Sequence, residues 1–391
     1  MRRLAIALAA LFAPVLLAQA QTLLLPVAPG MPATIVPAAP AQNPPPGADD
    51  RPLALDARPL MLGGALKTPQ LWQAYKTRFV TDTGRVIDTG NGLVSHSEGQ
   101  GYAMVLAVAA NDRQAFDLIW GWTRANLMVR DDQLIAWRWD PSRRPAIADM
   151  NDASDGDILV AWALAEGAEL WGDMALRTAG RRIAVEVGRK LVVYKTKRGA
   201  ILLPAVAGFS AGERTDGPVI NLSYWVFPAL ARLSLVAPEI DWRGITQSGM
   251  DLVKLARFGP SRLPTEWVSL RNGEAKPAEG FPAQFGYNAI RIPLYLAWTG
   301  IGERQHYNAF EAWAQRTRGA GALVDITNGR ETSFGEPGYG AVAALTLCAT
   351  QNQPLDAGFF AFRQDENYYP ATLRLLSVLA AQMRYPSCVR G

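Results

Sequence analysis

The chain of 391 residues has little cysteine and as little histidine. Two cysteines, Cys348 and Cys388, cannot form a disulfide framework, and two histidines, His96 and His306, stand far apart. No zinc-type spacing can be assembled from them, so neither a metal nor a cofactor is expected. Basic blocks are also missing: 39 Lys+Arg against 35 Asp+Glu leave a net charge of +4 spread along the chain. That pattern argues against a nucleic-acid partner. No repeat of the tetratricopeptide type occurs, which disfavours an open solenoid. The first apolar run, Leu4 to Leu17, follows Arg2 and Arg3 and leads into Ala18-Gln19-Ala20. This is the charged start, apolar core and small-residue exit of a secretory signal peptide, too short for a stable membrane span. Residues 1–20 are therefore expected to be removed. The mature chain is expected to be exported, periplasmic or secreted, without a membrane span. Such a compartment permits a disulfide between Cys348 and Cys388, pinning the last helix to the one before it.

What is present begins with a Pro/Ala/Gly-rich stretch, 21–54, that includes Pro44-Pro45-Pro46. It buries too little apolar surface to offset its ordering entropy and reads as a linker. Residues 55–391 show no second break in composition and read as one large domain. Hydrophobic residues make up 49% of the chain, enough for a sizeable core. Helical periodicity dominates, with helices expected near 99–111, 113–127, 174–192, 222–234, 240–257, 287–299, 303–317, 337–350 and 369–384. An all-α chain of about a dozen helices suggests stacked helical hairpins. Twelve tryptophans and eleven tyrosines supply a core, and they also favour a carbohydrate partner, because sugars pack on flat aromatic faces.

One octet organises the rest: Ser97-Glu98-Gly99-Gln100-Gly101-Tyr102-Ala103-Met104. Ser95 and Glu98 have the spacing of a capping box. Gly99 and Gly101 are costly at a helix start, which points to something approaching the backbone closely. A second segment, Asp152-Ala153-Ser154-Asp155-Gly156-Asp157, places three carboxylates at a helix entrance. Capping by Ser154 or Asp155 accounts for one such residue, not three. A third reads Asn221-Leu222-Ser223-Tyr224, and a fourth Tyr287-Asn288-Ala289-Ile290-Arg291-Ile292-Pro293. Arg291 stands in an otherwise apolar helix start, which needs a facing carboxylate, either Glu98 or Asp155. Ala136-Trp137-Arg138-Trp139 alternates, so that both tryptophans would share one face.

In this order, the four segments resemble the motifs of glycoside hydrolase family 8. Within it the chain looks most like the endoglucanases associated with bacterial cellulose synthesis. The resemblance implies an (α/α)6 barrel whose open cleft binds an extended β-1,4-linked glucan and cleaves it with inversion. It places Glu98 as general acid and Asp155 as the acid that holds and helps distort the sugar. Tyr224, Asn288 and Arg291 fall on cleft-lining positions, with Trp137 and Trp139 as stacking platforms and Gly99 and Gly101 under the sugar chain. A monomer is expected, with a glucan as partner and the cellulose synthase export machinery as a further one.

One departure bears on mechanism. The cellulase branch carries an aspartate base at the position matching Asn288, and a neutral amide cannot accept a proton from water. Glu274, Glu279 and Asp155 are the candidate bases. Two other readings keep the family: a chitosanase or other β-1,4-glycanase with its base elsewhere, and a weakly active or non-hydrolytic glucan-binding protein.

Overall fold

A computed structural model describes residues 61–389. The expected signal peptide and linker, 1–54, lie outside the described residues. Eleven α-helices are found among those residues: α1 (Pro69–Phe79), α2 (Ser97–Ala109), α3 (Arg113–Asn126), α4 (Ser154–Trp171), α5 (Met174–Glu186), α6 (Phe227–Val236), α7 (Trp242–Leu255), α8 (Arg291–Thr299), α9 (Arg304–Arg316), α10 (Gly340–Gln351) and α11 (Tyr368–Arg384).

Their sequences are of two kinds, and the two kinds alternate. Helices α2 and α8 are apolar nearly all round: α8 is buried along its whole length, and α2 buries every residue except Glu98. Helices α3, α5, α7 and α9 each bury a single stripe and turn charged residues to solvent. A helix apolar on every side must be surrounded, and a striped one must cover something. The contacts satisfy both demands. Helix α2 packs on α4, α4 on α6, α6 on α8, α8 on α10 and α10 on α11, which returns to α2 and closes an inner ring. Helices α3, α5 and α7 back onto the inner helix before them, α9 onto α10, and α1 onto α11. The sixth outer position is held by a short 3-10 turn, Ala357–Phe360, against α11. The result is an (α/α)6 barrel.

Glycine sets the tightest contact in the ring. A Cβ on Gly101 would lie 2.6 Å from that of Leu159, and one on Gly156 would lie 2.1 Å from the Ser97 hydroxyl oxygen. Those two positions let α2 and α4 touch along their backbones, and they bring Glu98 and Asp155 to the same end of the barrel. The β structure is short and antiparallel. Ser95–His96 pairs with Arg138–Trp139, which carries the Trp137 loop to the start of α2. Two three-stranded patches form from Val219–Ile220, Val268–Ser269 and Lys276–Pro277, and from Gln284–Phe285, Leu323–Asp325 and Glu331–Thr332.

Three expected helices differ in detail. The helix after 174 ends at Glu186 and continues as a wider π turn, Val187–Leu191. The one expected from 222 is a 3-10 turn, Leu222–Tyr224, followed by α6, with Pro228 at its start. The one expected from 287 begins only at Arg291. Cys348, in α10, is bonded to Cys388, just past α11, with Cα atoms 6.0 Å apart. This joins the segments that sequence reasoning paired.

Candidate active site

The inner helices direct their N-terminal ends to one side of the barrel. Glu98 is in the first turn of α2, Asp155 in that of α4, Arg291 opens α8 and Tyr369 is in the first turn of α11. The positive ends of the macrodipoles favour carboxylates at such positions. There the side chains border a cleft of about 330 Å³.

Glu98 is presented by an unexpected cap. The Ser95–Glu98 capping box does not form, because Ser95 lies in the extended pair and its hydroxyl donates to the Val86 carbonyl at 2.6 Å. His96 caps α2 instead, its Nδ1 accepting from the Gly99 N–H at 2.9 Å. Glu98 is thereby left free of the backbone. The smallness of Gly99 and Gly101 also has another cause than a sugar. Both are buried, and a Cβ on Gly99 would meet the Tyr368 hydroxyl at 2.9 Å and the His96 ring at 3.1 Å.

Arg291 is the centre of the site. Its Nη1 donates to Glu98 Oε2 at 2.7 Å and to Asp155 Oδ2 at 2.7 Å. Its Nη2 donates to the Ser223 hydroxyl at 2.9 Å and to Asn288 Oδ1 at 2.8 Å. Both carboxylates named from sequence as possible partners are engaged at once. The Arg291 and Asp155 side chains are each 1% exposed, whereas Glu98 is 19% exposed. Removing one member of such a buried pair leaves an uncompensated charge, at a cost of roughly 3–5 kcal/mol. The Arg291 guanidinium also lies over the Tyr224 ring, 5.5 Å from its centroid. Burial pushes the Asp155 carboxyl up to about 7, helped by the negative charge of Glu98 and opposed by Arg291. Close carboxylates of this kind titrate as a pair, so the pair retains a proton well above the ordinary carboxylate range.

The sequence profile of the glycosyl hydrolases of family 8 matches residues 63–383. The chain belongs to that family. An endoglucanase of Cellulomonas uda is 42% identical over 58% of this chain and 62% of its own length, a little under two thirds. A probable endoglucanase of Novacetimonas hansenii is 36% identical over 80% of this chain and 90% of its own. Among solved structures, the endo-β-1,4-glucanase CMCax from Acetobacter xylinum superposes with a TM-score of 0.73 at 32% identity, covering 82% of this chain and 99% of that one.

Of the residues singled out beforehand, Glu98, Trp137, Asp155, Tyr224, Asn288 and Arg291 line this family 8 cleft. Trp139 does not. It is packed edge-on against Trp122 at 5.7 Å, with the Arg85 guanidinium 4.5 Å from its ring centroid, so its face is already covered. Glu274 and Glu279 also lie outside the cleft lining. Glu274 is an exposed residue paired with Lys276 at 2.8 Å, and the Glu279 carboxylate has a long contact of 3.5 Å with Thr215. Asp88, Asn91, His96, Trp267, Tyr287 and Tyr369 line the cleft without having been singled out as site residues. Trp267 is stacked with Phe209 and with Phe281, with ring centroids at 5.3 and 4.7 Å. Tyr287 is 44% exposed and makes T-shaped contacts with Phe334 and Tyr339. Asp88 reaches its neighbour His96 at 3.4 Å, and this contact raises the His96 pKa, with the charges of Glu98 and Asp155, against the lowering effect of burial.

Proposed function

We propose that this glycoside hydrolase is an endo-β-1,4-glucanase that cleaves internal bonds of a cellulose-type glucan with inversion, Glu98 acting as general acid. The observation that carries the reading is the position of Glu98. It is the one residue of α2 that is not buried, and it shares a guanidinium with a buried carboxyl that stays protonated toward pH 7. A proton is thus stored beside the group that must deliver one to the leaving oxygen.

Asp155, fixed by Arg291 and by the Gly156 N–H at 2.9 Å, is the proton partner of Glu98 and holds the sugar at the cleavage point. Trp137 and Tyr287 supply aromatic surface for neighbouring glucose units. Tyr224 and Asn288 complete the walls. The names of the relatives support a β-1,4-glucan as substrate, and the resemblance of the four sequence motifs to those of endoglucanases associated with bacterial cellulose synthesis supports a role beside a polymer-exporting machine. The signal-like N-terminus and the Cys348–Cys388 bond support export. No helix among the described residues is long and apolar enough to cross a membrane.

New reducing ends released from carboxymethylcellulose test the reading, with chitosan and xylan assayed in parallel. The wild type is expected to shorten the glucan fastest, and Glu98→Gln to lose about 1,000-fold in kcat. An inactive wild type, or a Glu98→Gln variant near full rate, overturns it.

A further inference from the structure

Inverting hydrolysis needs a second carboxylate to take a proton from the attacking water, about 6.5–9.5 Å from the acid. Among the described residues, the carboxylates lining the cleft are Asp88, Glu98 and Asp155. Asp155 is too close to serve. Its Oδ2 and Glu98 Oε2 are each 2.7 Å from the same Arg291 nitrogen, which keeps these two oxygens within about 5.4 Å of each other. That spacing is below the range that leaves room for the sugar and the attacking water between acid and base.

Other groups are occupied or misplaced. Asn288 is neutral, and its Oδ1 is taken by Arg291. Glu266 lies beneath it, accepting the Asn288 N–H at 2.9 Å, and does not line the cleft. His96 has both ring nitrogens engaged, one by the Gly99 N–H and one by Asp88.

Asp88 differs from all of these. Its Oδ1 accepts one N–H, from Gly90 at 3.0 Å, and its Oδ2 makes one long contact, to His96 Nε2 at 3.4 Å. Each oxygen therefore keeps lone-pair capacity for a water. Among the described residues no lysine or arginine pairs with Asp88, whereas Glu98 and Asp155 both give an oxygen to Arg291.

We propose that Asp88 is the general base of this enzyme. The inference rests on the inverting glucanase reading. In the step, the water oxygen bonds to the anomeric carbon while Asp88 takes one water proton. The bond from that carbon to the leaving oxygen breaks, its electron pair going to that oxygen as Glu98 gives up its proton. Bulk water then returns the proton from Asp88 to Glu98.

Asp88→Asn and Asp88→Ala test it on the full-length protein, with cello-oligosaccharide binding measured beside kcat. Asp88→Asn is expected to lose about 100-fold or more in kcat while binding is kept. Azide needs no base, so adding it to Asp88→Ala is expected to raise the rate at least about tenfold and to form a glycosyl azide. Glu98→Gln is expected to show no such gain. Asp88→Asn within about threefold of wild-type kcat overturns the proposal, and so does a loss in both variants without azide rescue. Failure of the underlying reading shows earlier, as a wild type that releases no reducing ends.

Discussion

Within one cleft, acidic side chains are held in two opposite ways. Glu98 and Asp155 hang on a single buried guanidinium, each at 2.7 Å. Asp88 has only a backbone N–H and a long histidine contact. The first arrangement fixes geometry and stores a proton, because burial and like charge keep one carboxyl neutral. The second leaves a carboxylate with lone-pair capacity still unused. An acid that gives a proton and a base that takes one need such unlike settings, and the spread of environments assigns the roles better than residue type does.

The comparison is broken most severely by removing either end of the proton path. Glu98→Gln and Asp88→Asn are expected to lose about 1,000-fold and 100-fold in kcat, both with oligosaccharide binding retained. If only Glu98→Gln is slow, the cleft has one working carboxylate and the contrast is empty.

Asp155→Asn sharpens the other side. The folded protein holds the Asp155 proton up to about pH 7, whereas the unfolded chain releases it near the ordinary value of 3.8. The folded state thus binds more protons across that window. This contribution to stability is full below about pH 4 and falls as pH rises toward 7. Wild-type kcat/KM is expected to fall above about pH 7, where the pair loses its shared proton. In Asp155→Asn that limb moves to lower pH, since Glu98 no longer faces a like charge, and the slope of Tm against pH between 4 and 7 flattens. A profile that keeps its upper limb would mean that Asp155 does not govern the acid.

The smallest effects separate two neighbours in sequence. Trp137→Ala is expected to raise KM up to about tenfold with little change in Tm, as a stacking surface is lost. Trp139→Ala is expected to leave KM near its wild-type value and to cost up to about 3 kcal/mol of stability, seen as a lower Tm. The opposite pattern would restore Trp139 as a platform.

The same pair shows where the sequence stopped being legible. Alternation placed Trp137 and Trp139 on one face, but it does not say how far a cleft extends along a strand, and Arg85 and Trp122 had already claimed the second ring. The barrel was more readable, because a helix apolar on every side, such as α8, has to be an inner one. Arg291 was readable too: a cation in an apolar helix start required a partner, though not that it would take two. Asp88 and His96 carry no such signal. Asp88 sits in a turn-rich link and His96 in the short extended pair before α2, where polar residues are ordinary, and the local bridge between Asp88 and Val94 brings the two together beside Glu98. Gly99 and Gly101 are close-approach positions, as their cost at a helix start implies. What approaches them is Tyr368, His96 and α4, which distance in sequence concealed.

The anomeric form of the first product, followed by proton NMR during cleavage of a cello-oligosaccharide, tests the assignment of roles most directly. A Glu98–Asp155 oxygen separation within about 5.4 Å is the spacing that a retaining pair would use. If Asp155 is the proton partner and the base lies elsewhere, the new reducing end appears first as the α anomer. A β anomer appearing first would make Asp155 the nucleophile and contradict the account.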